Sequence, residues 1–137
     1  MPYAEDYDAA AAAFDTAAQT MHAPVEPARA IISETVMVGG ALSAVVTDEL
    51  DSAGALLNGV TAELNELAMT CRERADVCRQ SLTGQLEYDT SYSNYETDLR
   101  RWQAERDAYA AGSAVPNPGP PPQPPLSPPT APPWANH

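Results

Sequence analysis

The chain has 137 residues, 19 acidic against 7 basic side chains, no lysine, and a formal net charge of −12. That length holds at most one domain with appendages, and so acidic a surface excludes a nucleic-acid binder, which needs a cationic face for phosphate. There is no basic amphipathic helix for anionic lipid, and no run comes near the roughly 18 consecutive apolar residues of a membrane span.

The N-terminus, "MPYAEDYDAAAAAF", is acidic and has neither a basic leader region nor an apolar one, so no conventional cleavable signal peptide is expected. Tyr3, Tyr7, Ala10, Phe14, Ala17 and Met21 follow at intervals of four and three, which predicts an amphipathic helix over 3–22. Its first turns carry Glu5, Asp6 and Asp8, where the macrodipole favours negative charge. Pro24 and Pro27 then interrupt. Pro27 suits the first position of a shorter helix over 27–38, and Gly39 with Gly40 supplies a turn.

A longer helix is predicted over 41–111. From Val46 the heptad positions run through Leu50, Ala53, Leu57, Val60, Leu64, Leu67, Cys71, Arg74 and Cys78, weaken towards Gln85, and recover as Tyr88, Tyr92, Tyr95, Leu99 and Trp102. A sustained seven-residue repeat implies a seam packed against another helix at a shallow angle. Thr83-Gly84 is the expected place for a break. The glycine turn folds the chain back, so the first two helices should cover the front half of the long one. Nothing within the chain remains to cover Tyr88, Tyr92, Tyr95, Leu99 and Trp102, and that aromatic seam is expected to face a helical partner, a second copy or a different chain.

Residues 113–137 hold eleven of the fourteen prolines and no charged side chain. Proline removes the backbone donor, so this tail can join neither helix nor sheet, and a disordered, polyproline-rich spacer is expected ahead of the other reading, a docking ligand for a proline-binding module. The fold class is therefore all-α: a helical hairpin domain over 1–112 with a coiled-coil-like second helix, followed by the tail.

Chemistry is sparse. His22 at a helix end and His137 at the terminus are the only histidines. Glu63 with Glu66, and Asp48, Glu49 and Asp51, read as a solvated helix face. No phosphate loop, metal spacing or nucleophile triad occurs. We expect no catalytic, cofactor-binding or metal-ligating residue, no cofactor and no enzymatic activity. Cys71 and Cys78, one heptad apart, sit about 10 Å apart on a straight helix. They cannot bridge each other and read as small buried hydrophobes or, in an oxidising compartment, as intermolecular partners.

A helix, a glycine turn near residue 40, a long second helix, and then Tyr92-x-x-x-Glu96 together resemble the helical-hairpin proteins of bacterial type VII secretion systems. In that family a W-x-G turn joins two helices, the proteins pair as four-helix bundles, and a Y-x-x-x-D/E signal after the second helix directs export. Gly40 matches the turn glycine, with Val38 standing where tryptophan is expected, which suggests a divergent relative. The resemblance implies a non-enzymatic substrate or partner protein that forms a homo- or heterodimer. It would be synthesised in the cytoplasm and exported by the type VII machinery, with Tyr92 and Glu96 as the signal. Two other readings of the residues stay open: a cytoplasmic adaptor or chaperone of a larger effector, and a coiled-coil assembly protein, a viral one included.

Overall fold

The computed structural model describes residues 2–22, 27, 30 and 40–135. Within them the chain is all-helical, with no strand: α1 spans Ala4–His22 and α2 spans Gly40–Ala110. The expected short helix over 27–38 lies outside the described residues apart from Pro27 and Ala30, which are helical. Gly39 and His137 also lie outside them. Gly40, assigned to the turn from sequence, is instead the first residue of α2. The chain divides into two compact units, Pro2–Asp76 and Val77–His137, with the boundary inside α2.

In the first unit α1 begins with a built cap. The Tyr3 N–H donates to Asp6 Oδ2 at 2.7 Å, and the Tyr3 carbonyl accepts from the Asp6 N–H at 3.1 Å. The carboxylate at the third helical position thus reaches back to the residue before the helix, half of a capping box. Glu5 and Asp6 put negative charge in the first turn, the favourable end of the dipole. Contacts that join α1 to α2 include an ion pair between Asp15 and Arg72, and the Arg74 guanidinium 5.9 Å from the centroid of the Tyr7 ring. The contact on α2 moves back towards its start as that on α1 moves forward, the sense of an antiparallel hairpin. The ion pair is half-exposed on both sides, so it aligns the helices and contributes at most about 1 kcal/mol.

The core of this unit is made of small residues. Ala11 and Ala18 are buried on α1, and on α2 the buried positions are Gly54, Thr61, Ala68 and Ala75, each one heptad from the last. Leu50, Leu57, Leu64 and Cys71 flank them, half-buried. Half of the expected seam therefore stands, and the other half is displaced by one residue. Ala53, Leu67 and Arg74 face solvent, and the next residue along, Gly54, Ala68 or Ala75, takes the inward place. The same rotation holds on α1, where Tyr3 and Met21 are exposed while Ala11 and Ala18 are buried. Helix separation depends on the side chains at the contact, and a line of Gly, Thr and Ala lets two backbones approach closely. The Thr61 Oγ1 is buried and finds no hydrogen-bond partner among the described residues.

In the second unit α2 runs on without interruption through Thr83 and Gly84, so the expected break is absent. The helix ends in a complete Schellman motif. The Ser113 N–H donates to the Ala108 carbonyl at 3.1 Å and the Gly112 N–H to that of Tyr109 at 3.0 Å, with Gly112 at φ 80°. A side chain would be strained at that angle, which is why glycine stands there. Residues 113–135 form no helix or strand, as their prolines require, but they are not a free spacer. They return along α2, touching it near Trp102 and again near Gly84. Ala135 is buried at their end, after a turn in which its N–H reaches the Pro132 carbonyl at 2.9 Å.

Candidate partner and signal surface

The aromatic residues singled out in the sequence do share one face of α2. Tyr88 and Tyr92 stack with ring centroids 6.1 Å apart, and Tyr92 and Tyr95 follow at 6.0 Å with tilted planes. This is the i, i+4 and i, i+3 adjacency that helical spacing dictates. Tyr88, Tyr95, Leu99 and Trp102 are half-buried, whereas Tyr92 is 43% exposed. Glu96, one turn beyond Tyr92, is exposed and lies 3.8 Å from Arg100 in a loose, solvated ion pair. Tyr92 and Glu96 are thus both accessible, one turn apart on a helix, and Tyr92 keeps ring contacts on both sides.

The expectation that nothing within the chain covers this seam is overturned. The Trp102 indole Nε1–H donates to the Gly119 carbonyl at 2.9 Å, and the Arg106 guanidinium lies 5.2 Å from the centroid of the Trp102 ring. Farther back along the helix, Pro125, Leu126, Ser127 and Pro129 share a shallow groove with Gly84, Glu87, Tyr88 and Ser91. A Cβ built on Gly84 would stand 3.3 Å from Pro129 Cγ, so the glycine leaves the space into which that proline ring settles. The glycine read as a helix weak point is therefore a contact site.

Lengths explain the match. From Gly119 to Pro129 is ten residues, about 31 Å at the polyproline rise of 3.1 Å. From Trp102 back to Gly84 is eighteen, about 27 Å at 1.5 Å per helical residue. An extended proline segment of this length spans the aromatic stretch of α2, and its half-buried positions Val115, Pro118, Pro122 and Pro125 recur at nearly the three-residue period of a polyproline helix.

Sequence reasoning missed Gly112, Asn117 and Gly119. Gly119 has φ 74°, and its N–H is held by Asn117 Oδ1 at 3.0 Å, an Asx turn that aims the Gly119 carbonyl at the indole. The signal was present in "NPG", where an asparagine precedes by two residues the single glycine of the tail.

Both cysteines are free thiols, Cys71 half-buried and Cys78 buried. Under native conditions one thiol per chain should titrate readily with a disulfide reagent, and Cys78 should react roughly a hundredfold more slowly, on the opening of the structure. Equal rates would contradict the burial of Cys78. Among the described residues no helix is long and apolar enough to cross a membrane.

Comparison with protein-family models, curated proteins and solved structures finds no match to this chain.

Proposed function

We propose that the chain is a non-enzymatic protein of a type VII secretion system, a divergent helical hairpin. It would be carried out of the cytoplasm, with Tyr92 and Glu96 as the signal that the export machinery reads. The observation that carries this reading is the accessibility of the pair. Tyr92 is the most exposed member of the aromatic ladder, and Glu96 stands one turn farther along the same helix with its carboxylate in solvent. A signal read by another protein needs that exposure, and a residue serving only the seam would not have it.

The dimer or hetero-complex that accompanies this function needs a face other than the aromatic one. Val45, Leu56 and Leu67 are each eleven residues apart, 58%, 70% and 47% exposed. Three helical turns separate each from the next, so they share a stripe of α2. An apolar stripe of this kind suits a helical partner packing along it.

The test is export of Tyr92→Ala. Secretion should fall by at least about tenfold while intracellular level and helical content stay as in the wild type. Undiminished secretion of that variant would overturn the signal assignment.

A further inference from the structure

We propose that the face of α2 from Gly84 to Trp102 is a recognition site for extended proline-rich segments, occupied in cis by the chain's own tail. The surface has the chemistry that binds polyproline elsewhere. Aromatic rings offer flat apolar walls for pyrrolidine rings, and an indole N–H reads a backbone carbonyl that, lying beside proline, has no ladder partner of its own. Tyr88 provides a wall beside Pro125 and Pro129, Trp102 the donor at 2.9 Å from the Gly119 carbonyl, and Gly84 a slot into which Pro129 fits. The ligand is equally suited. It carries no charge between Ser113 and Trp134, so nothing is desolvated at a cost when it lies on aromatic rings. It is pre-extended by its prolines, which lowers the ordering entropy of docking.

Two glycines with positive φ show that the fit is built into the chain. Gly112 reverses its direction at the end of α2, and Gly119, held by Asn117, presents the carbonyl to the indole. Removal of the tail from this face would leave a vacant site for a segment of the same chemistry, the tail of a second copy. Tethering through a short turn raises the local concentration of the tail to about the millimolar range, so the wild-type site is masked against ligands in trans.

The experiment uses the full chain with Pro122→Ser, Pro125→Ser and Pro129→Ser combined, and as ligand a fluorescent peptide of residues 113–135 followed by anisotropy. The peptide should bind this variant at least tenfold more tightly than the wild type, and adding Trp102→Phe should weaken that binding at least fivefold. Equal binding to wild type and tail variant, or binding indifferent to Trp102→Phe, overturns the proposal. If circular dichroism shows that the tail variant has lost its helix, Trp134→Phe decides instead, since Trp102 is then the sole indole. Its N–H should exchange with solvent at least tenfold more slowly than a free indole, and exchange at the free rate overturns the proposal.

Discussion

Ala68→Leu is expected to destabilise the protein by about 1–3 kcal/mol, while Leu67→Ala, the neighbouring truncation, should cost under about 1 kcal/mol. The ordering is the reverse of what hydrophobic size would suggest. Ala68 has no exposed surface at all, and Leu67 is 47% exposed. Leucine at 68 adds three carbons to a line of Gly54, Thr61 and Ala75 whose smallness sets the approach of the helices, and the extra volume must push α1 away or force a strained rotamer. Separation of the two helices would also break the Asp15–Arg72 pair and lift Tyr7 from Arg74. At roughly 4–8 °C per kcal/mol for a domain of this size, the melting temperature of Ala68→Leu should drop well clear of measurement error. Urea unfolding followed by helical dichroism reads both variants. A larger loss in Leu67→Ala than in Ala68→Leu would mean that the seam runs through Leu67 after all.

That reversal marks where sequence reading reached and where it stopped. The helical class, the start of α1 within a residue and both ends of α2 within a residue were legible, because prolines, acidic first turns and a repeat of fours and threes are local signals. One strand of the seam, Leu50, Leu57, Leu64, Cys71 and Cys78, was legible too. Its companion was assigned one residue early because a pattern search prefers Leu67 and Val60 to Ala68 and Thr61, whereas close helix packing prefers the small residue. Gly84 was read through its intrinsic helix cost, but the space it leaves matters only once Pro129 is known to lie there. The tail was read as a spacer for a sound local reason, since proline cannot join a ladder. What that argument omits is that an extended chain can pack rings on rings and lend carbonyls to side-chain donors without any ladder. Tyr92 and Glu96 were placed together by spacing alone. Only the structure shows that Tyr92 is more exposed than Tyr88 and Tyr95 beside it.

Truncation after Gly112 is expected to have the other large effect, making the helical content of the chain depend on its concentration. The second unit consists of the rear of α2 and the returning tail, and within it the described residues supply no other helix to bury Tyr88, Tyr95, Leu99 and Trp102. A lone helix is marginal in water even with favourable propensities, since packing of its apolar face supplies most of the stability of protein helices. Without the tail Trp102 loses the Gly119 carbonyl and Tyr88 loses Pro125 and Pro129 as neighbours, and the aromatic stripe becomes more solvent-facing. Two routes then relieve it: fraying of the helix beyond about Gly84, or pairing of two stripes between copies. Dilution favours the first and concentration the second, so helical dichroism per residue should rise with protein concentration across the micromolar range, and sedimentation should show a dimer at the upper end. In the full chain helical dichroism per residue should stay flat over the same range, because the tail occupies the face at any dilution. A truncated chain that stays monomeric and fully helical throughout would mean that the rear of α2 stands on its own and that the tail contributes nothing to holding it.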